Sequence, residues 1–441
     1  MSGKDLKMSV SGIRGKTNGS FTTEMCSRIA YIQTRKYRGG KVVVGRDTRP
    51  TGKEYAEAAF AGIASAGGKP VDIGIAPTPT TCKAVEVLNA STGIILTASH
   101  NPMPYNGYKM VHSTGRLFND SECTEVYEGY RNGEFPEYIP PFPENPDEIE
   151  KEDGAELHIS AIINEIDTEL IQKAGLKIAV DAINGAASAV LPRLLKRLNV
   201  EWKGINTELS GEFTHNPEPR PEHLHEISAF LKENPGMNGG FIFDPDADRL
   251  VVMGEDGTPL SEEFTLALAI NHLLKKTKSD IVVNLSTSML MDTIADNFRV
   301  RLFRTRIGEA NVVEGIKKHK ASFGGEGNGG VIYPAVSSVR DGLAGTALIL
   351  EYMASEKKSI NQLASPLPRF AMIKDKIDLN GADAVSIIRD IESRYTNYPK
   401  NTEDGLRIVM ERGWIQLRSS NTEPVMRLFV EAFSGNQAVK Y

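Results

Sequence analysis

The sequence predicts an α/β protein: three tandem, related α/β domains with mixed sheets, then a smaller α+β unit at the C-terminus. Three observations predict it. An apolar strand, a polar loop and a helix follow one another at 41–66, 176–198 and 280–297, roughly a hundred residues apart, as related units in tandem would be. Two proline-containing stretches, 134–153 and 364–369, interrupt the pattern as connections. From about Phe370 the pattern changes to short alternating strands around one helix, which reads as antiparallel. The domain ranges expected on this basis are 1–153, 154–255, 256–367 and 368–441.

Composition narrows the class. The chain has 441 residues, room for several domains of about 100–200 residues each. It is 40% hydrophobic and 24% charged, with a net charge of -6. That balance is ordinary for a globular protein and does not favour a nucleic-acid partner. Cys26, Cys82 and Cys123 are odd in number and form no CxxC, so neither a disulfide framework nor a zinc site is expected, in keeping with a reducing compartment. The N-terminal stretch lacks a signal-peptide core, and no run approaches the ~18 apolar residues of a membrane span. A soluble, cytoplasmic protein is expected.

In chain order, Gly12-Ile13-Arg14-Gly15-Lys16-Thr17 comes first. It ends like a P-loop, but the leading glycine of that motif would fall at Val10, so the motif fails. Two readings stay open: a loop whose Arg14 and Lys16 face an anion, and a plain basic loop. A strand at 41–45, a loop at 46–52 and an Ala-rich helix at 53–66 follow, with Thr51 or Gly52 near the cap. A strand at 70–75, a helix at 81–88 and a strand at 93–96 complete a βαβαβ alternation, which implies a parallel or mixed sheet covered by helices. The phrase returns as strand 176–180, loop 181–185 and helix 186–198, and again as strand 280–284, loop 285–288 and helix 289–297. Shorter strands come after each, near 201–205 and 301–305. The last unit reads as a strand at 373–379, a helix near 382–395 and strands at 406–410, 414–417 and 425–430. The chain stops soon after, where a packed helix is expected next, so this reading has the last domain cut short.

Four stretches carry chemistry. At 93–96 a short apolar run is broken by Thr97-Ala98-Ser99-His100-Asn101-Pro102. Pro102 biases Asn101 away from helix. Ser99 is therefore expected on a loop just past a strand's carboxyl end, where open α/β sheets place ligands. A hydroxyl there can act as a nucleophile or carry a phosphoryl group, although on this segment alone a polar strand-to-loop turn is the favoured reading. At 241–249 a strand delivers Asp244, Asp246 and Asp248 at alternate positions, with Arg249 next. Three hard oxygen donors suit Mg2+, and three close carboxylates repel one another without a cation. An EF-hand fails, because Arg249 stands where that loop needs glycine; a solvated acidic turn is the alternative. At 323–331, Gly325, Gly327 and Gly330 meet the bare GxGxxG spacing, but no helix opens at the end and a dinucleotide loop is rejected. Glu326 and Asn328 can grip hydroxyls there, or the stretch is a flexible hairpin tip. Arg340-Asp341-Gly342 begins a helical run just beyond. At 417–427, Arg418, Ser420, Asn421, Thr422 and Arg427 make a plausible phosphate cradle, or a capped polar turn. The remaining histidines show no metal-ligand spacing, and no GxSxG elbow is present.

Taken in order, GIRG, VGRDTRPTG, TASHNP, NGYK, FTHNPEPRPEHL (213–224), DPDADR, RTRIGEANV (304–312), GGEGNGG and RSSNTEPVMR run almost the whole length of the chain. On these motifs the sequence resembles the α-D-phosphohexomutase family of phosphoglucomutases, phosphomannomutases and phosphoglucosamine mutases. The resemblance implies four domains around a central cleft. It implies Ser99 as a phosphoserine, with Asp244, Asp246 and Asp248 holding Mg2+ together with the serine phosphate. It also implies Arg249 beside that phosphate, and Arg14 and Lys109 near the reacting groups. Glu326 and Asn328 match the sugar-reading loop, joined for substrate binding by Gly308 of RTRIGEANV. Arg418, Ser420, Asn421, Thr422 and Arg427 match the loop around the phosphate that is not transferred.

The reaction so implied interconverts hexose 6-phosphate and hexose 1-phosphate through a bound hexose 1,6-bisphosphate, which also serves as activator. The expected substrate is glucosamine 6-phosphate, going to glucosamine 1-phosphate, because members of similar length often feed cell-wall precursors. Mannose or glucose phosphates are the alternative. One departure matters: some relatives have a histidine at the end of the sugar loop and a serine where Asn328 stands. Here Gly330 takes the histidine position, so a histidine acid/base at that place is impossible, and His100 and Lys109 become the candidate proton carriers. Readings from other classes are a Mg2+-dependent phosphatase and a non-catalytic sugar-phosphate binder. The phosphate-gripping loop opposes the first, and the joint presence of Ser99 and three aspartates opposes the second. The expected partner is a phosphorylated hexose or hexosamine, with no nucleic acid and no membrane, bound by a monomer or homodimer.

Overall fold

The recurring strand–loop–helix phrase builds four separate sheets in the computed structural model, which describes residues 6–142, 149–419 and 425–441. The first is mixed. Across it lie Lys7–Ser9, Gly12–Lys16, Tyr105–His112, Thr92–Leu96, Gly40–Arg46, Gly68–Ile75 and Glu150–Lys151. Gly40–Arg46 runs parallel to both its neighbours, whereas Tyr105–His112 is antiparallel to Thr92–Leu96. Alternation along the strands feeds two cores. Val42, Val44, Ile94 and Leu96 pack under the helices Thr23–Lys36 and Gly52–Ser65. Val43 and Ile95 pack on the other face against Cys82 and Val85 of the helix Thr78–Val87. A strand covered on both faces has no polar side, which is why 93–96 reads as an unbroken apolar run.

Three expectations change here. The segment 12–17, expected as a loop, is a strand through Lys16, paired antiparallel with both Lys7–Ser9 and Tyr105–His112. Ile13 is buried between basic and glycine residues, so the pairing makes the strand and no apolar period announces it. The helix expected at 81–88 begins at Thr78, with Pro77 at its N-cap and Pro79 in the first turn, where a proline costs no hydrogen bond. The stretch 134–153 is more than a connection. Its residues 143–148 lie outside the described residues, but Glu150–Lys151 adds a parallel edge to Gly68–Ile75.

The second sheet carries Leu250–Met253, Gly240–Phe243, Lys177–Asp181 and Glu201–Ile205 in that order. The third carries Leu302–Thr305, Ile281–Asn284, Phe323–Glu326, Gly330–Tyr333 and Ser337–Arg340. These two units share one apolar core that runs from Ile159 to Ala364. Helix Gly342–Glu356 lies within it, buried on nearly every side, and Asp341 caps its start by accepting from Leu343 N and Ala344 N. The last sheet is wholly antiparallel, Ala371–Asp378, Val425–Ala432, Gly413–Ser419, Leu406–Met410 and Lys400–Asn401. Its core is small, built on Ile415, Leu417, Met426 and Val430, and Ala438 of the helix Gly435–Lys440 packs onto it. Among the described residues, no helix is long and apolar enough to cross a membrane.

Candidate active site

Ser99 follows the end of Thr92–Leu96 by three residues, buried and in the left-handed region at φ 49°. A non-glycine residue there needs its surroundings to hold it, and Arg49 does so. Its buried guanidinium donates to the carbonyls of Ser99 (2.7 Å), Asn101 (2.6 Å), Pro102 (3.0 Å) and Tyr105 (2.7 Å). Asp47 fixes the clamp, accepting from Arg49 Nε at 3.0 Å and from Thr97 Oγ1 at 2.7 Å. Ser99 Oγ is thereby left 3.3 Å from Asp244 Oδ2, to which it donates, and 3.3 Å from His100 Nδ1. Burial, with Arg249 and Arg14 nearby, pushes the His100 imidazole down to about 2, so it is neutral.

The aspartates occupy the turn between Gly240–Phe243 and Leu250–Met253, all three with no exposed surface. Ala247 takes the left-handed backbone, φ 52°, that folds the turn back. Lys109, on Tyr105–His112, reaches across from the first sheet to Asp246 Oδ2 (2.6 Å) and Asp248 Oδ2 (3.1 Å). Thr78, at the start of its helix, donates from Oγ1 to Asp246 Oδ2 at 2.5 Å. Burial works against the ammonium, but Asp246 and Asp248 outweigh it and hold Lys109 above its ordinary range. Burial and the neighbouring Asp248 and Asp246 carboxylates push Asp244 well up. Asp248 goes the other way: burial opposes its charge, but Arg340, Lys109 and Arg249 hold it low.

Carboxylate oxygens of the three aspartates lie within 4.8 Å of one another. Among the described residues, Asp246 Oδ1 and Asp248 Oδ1 are buried without a hydrogen-bond partner. Buried acceptors left unpaired side by side are costly, and a divalent cation with hard oxygen preferences fits them. Arg249 lines the same space, its backbone N–H donating to Asp244 Oδ1 at 3.2 Å. Arg14 Nη1 donates to Asn101 Oδ1 at 3.1 Å, on the Ser99 loop.

On the facing side, Glu326 ends Phe323–Glu326, and Gly330 pairs with it across the hairpin. Glu326 Oε1 accepts from Asn284 Nδ2 (2.8 Å) and from the backbone N–H of Gly308 (3.2 Å), and Oε2 accepts from Arg340 Nη1 (3.1 Å). Asn328 Oδ1 at the turn is buried without a partner among the described residues. Arg418 and Arg427 face each other across Gly413–Ser419 and Val425–Ala432. Asp404 lies 3.6 Å from Arg418 Nε and accepts from Ile307 N at 2.9 Å, next to Gly308. The last sheet therefore abuts the sugar-side loop. Ser420, Asn421 and Thr422 lie outside the described residues.

The structure thus gathers Ser99, His100, Lys109, Asp244, Asp246, Asp248 and Arg249 around one point. It connects Glu326 and Gly308 to that point through Arg340, a residue for which the sequence reading had no role beyond opening a helix. Arg49 and Thr78 were missed too. Arg49 sits inside VGRDTRPTG, but nothing in that stretch says its guanidinium turns inward to a loop fifty residues on.

Four family descriptions cover the chain: phosphoglucomutase/phosphomannomutase alpha/beta/alpha domains I, II and III over residues 5–137, 156–257 and 261–370, and the C-terminal domain over 374–441. A phosphoglucomutase/phosphomannomutase of Thermococcus kodakarensis is 34% identical over 98% of this chain and 95% of its own length. A probable phosphoglucosamine mutase of Methanopyrus kandleri is 31% identical over 97% of this chain and 94% of its own. Among solved structures, a phosphoglucomutase/phosphomannomutase family protein from Burkholderia thailandensis superposes with a TM-score of 0.87 at 27% identity, covering 100% of this chain and 95% of that one.

Proposed function

Since the chain belongs to the phosphoglucomutase/phosphomannomutase family of phosphohexomutases, we propose that it interconverts hexose 6-phosphate and hexose 1-phosphate through phosphorylated Ser99, with glucosamine phosphate as the sugar. The observation that carries the reading is the position of Ser99 Oγ, 3.3 Å from Asp244, beside buried carboxylate oxygens that have no hydrogen-bond partner among the described residues. A hydroxyl so placed can take and give a phosphoryl group, while Glu326 and Asn328 stand on the facing loop with hydroxyl-binding chemistry.

In the first half-reaction the phosphoryl leaves Ser99 for the free hydroxyl of the sugar phosphate. The Ser99 O–P bond breaks, the sugar O–P bond forms, the sugar hydroxyl loses its proton and Ser99 regains one. His100 Nδ1 is within reach of Ser99 Oγ and, as a neutral imidazole, orients that hydroxyl. The Lys109 ammonium and Arg249 carry positive charge at the transferring group. Asp244, Asp246 and Asp248 would hold Mg2+, which when bound spreads the charge of that group. Arg418 and Arg427 would grip the phosphate that stays in place. The bisphosphate then turns over and returns its other phosphoryl to Ser99 by the same route reversed.

The sugar rests on the names of the relatives. Probable phosphoglucosamine mutases recur among them at 31–32% identity. The second reading, a glucose or mannose phosphate mutase, is favoured by the 34% identical phosphoglucomutase/phosphomannomutase.

The test is a coupled assay of purified protein with Mg2+ and a trace of hexose 1,6-bisphosphate on glucosamine 6-phosphate, glucose 1-phosphate and mannose 1-phosphate, with free phosphate followed in parallel. Isomerisation fastest on glucosamine 6-phosphate without phosphate release is expected. Phosphate release without isomerisation would overturn the mutase reading, and preference for another sugar would overturn the choice of substrate.

A further inference from the structure

Arg340 touches both halves of the site just described. It ends the strand Ser337–Arg340 of the third sheet. Its Nη2 donates to Asp248 Oδ2 at 2.7 Å, on the aspartate turn of the second sheet. Its Nη1 donates to Glu326 Oε2 at 3.1 Å, on the sugar-side hairpin. Glu309 holds the base of the fork, accepting from Arg340 Nε at 3.1 Å and from its backbone N–H at 2.7 Å. Three carboxylates thus share one guanidinium, whose side chain is only 11% exposed. A lysine ammonium, a single point charge, cannot span them.

Gly330 makes room for this arrangement. Its backbone lies outside the positive-φ region, so conformation does not demand glycine. A Cβ there would lie 2.3 Å from Arg340 Cδ and 2.8 Å from Cγ, and 3.0 Å from Asn328 Oδ1. A side chain at position 330 and the fork of Arg340 compete for one space.

We infer that Arg340 is a positioning residue that links cation binding at the aspartate turn to recognition of the sugar phosphate at Glu326, and that Gly330 is required to seat it. A cation that takes up the charge of Asp248 lessens the hold of Asp248 on the guanidinium. The positive charge of Arg340 is then directed to Glu326 and to an anionic sugar beside it. The two binding events therefore favour each other, and the linkage is reciprocal. The inference rests on the mutase reading, which supplies the sugar phosphate.

The experiment titrates Mn2+ into the full-length protein by electron paramagnetic resonance, with and without glucose 1,6-bisphosphate, for the wild type, Arg340→Lys, Gly330→Ala and the double variant. The bisphosphate is expected to tighten Mn2+ binding in the wild type. Arg340→Lys is expected to cut that enhancement about fivefold or more. Gly330→Ala removes no charge and no contact, yet it should cut the enhancement too, and the double variant should fall no further than Arg340→Lys alone. A merely structural role would lower the fraction of competent protein and leave the enhancement ratio untouched. If Arg340→Lys does not fold, Gly330→Ala decides alone. An enhancement equal to that of the wild type in every folded variant would overturn the inference and leave the mutase reading standing. A wild type that fails to bind the bisphosphate would overturn both.

Discussion

The carboxylates of the aspartate turn and those at the boundary between the third and last sheets are treated differently. At the aspartate turn, Asp244, Asp246 and Asp248 are met by cations, Lys109, Arg249 and Arg340, and still keep oxygens without a hydrogen-bond partner among the described residues. At the boundary between the third and last sheets, Glu262, Glu263 and Glu431 come together around a cavity of about 340 Å³ that Lys374 also lines. There, neutral donors do most of the pairing. Glu431 accepts from Trp414 Nε1 (2.7 Å), Met289 N (2.7 Å) and Ser288 Oγ, at the start of helix Leu290–Phe298. Glu263 accepts from Ser288 N at 3.0 Å through Oε2, its Oε1 left without a hydrogen-bond partner among the described residues, and Lys374 pairs with Glu262 at 2.7 Å. A carboxylate at a helix start, held by N–H groups, is a fastening. Three fully buried carboxylates whose oxygens converge within 4.8 Å of one another are a site that a cation can complete. A carboxyl group does opposite work in the two places because of what surrounds it.

The sharpest way to break the comparison is at the first cluster. Ser99→Ala should lower mutase turnover by about a thousandfold or more while the melting temperature stays within a few degrees, read by steady-state assay and calorimetry. Near-normal turnover would remove Ser99 from the chemistry. Next, chelation of divalent cations should stop turnover, and Mg2+ should restore it. Full activity in excess chelator would class the aspartate turn with the boundary cluster as a structural feature.

At the second cluster the effects should be on stability. Glu431→Gln can no longer accept at both former oxygens, so one buried donor loses its partner, at a cost of about 1–3 kcal/mol. Urea denaturation should show that loss, and limited proteolysis should show faster cleavage in the 364–370 connection. An unchanged midpoint would mean that Glu431 does not fasten the last sheet.

A further effect at the second cluster should be on pH. Burial, opposed by Lys374 and reinforced by Glu431, raises Glu263 from an ordinary 4.5 to about 8. A carboxyl raised on folding binds its proton more tightly in the folded state, so its contribution is full below pH 4.5 and is lost as pH rises through about 8. Glu263→Gln should flatten the fall in stability between those values, by at most about 1.4 kcal/mol per pH unit, in denaturation curves taken across the range. The same slope in both proteins would place Glu263 outside the titrating set.

Much of the site was legible in the sequence because its residues are close in the chain. Asp244, Asp246 and Asp248 fall at alternate positions after a strand, and Ser99 falls just past one, so local rules place them on turns at strand ends. Arg340 was not legible. It stands next to the helix cap Asp341, and its partners Asp248 and Glu326 lie 92 and 14 residues away. The strand Gly12–Lys16 was missed for a related reason: its pairing partners, not its own pattern, make it a strand.

By itself the sequence determined the alternation of strands and helices, the change of architecture near Phe370 and the motifs that identify the family, because periodicity and turn chemistry are properties of neighbouring residues. Only the tertiary structure decided that Lys109 of the first sheet spans to the aspartates of the second, that Arg49 holds the Ser99 loop from within, and that Arg340 bridges Asp248 and Glu326 in the space Gly330 leaves. Such contacts depend on how distant parts of the chain come together, and a buried charge reveals its partner only when the chain has brought the two within hydrogen-bond distance.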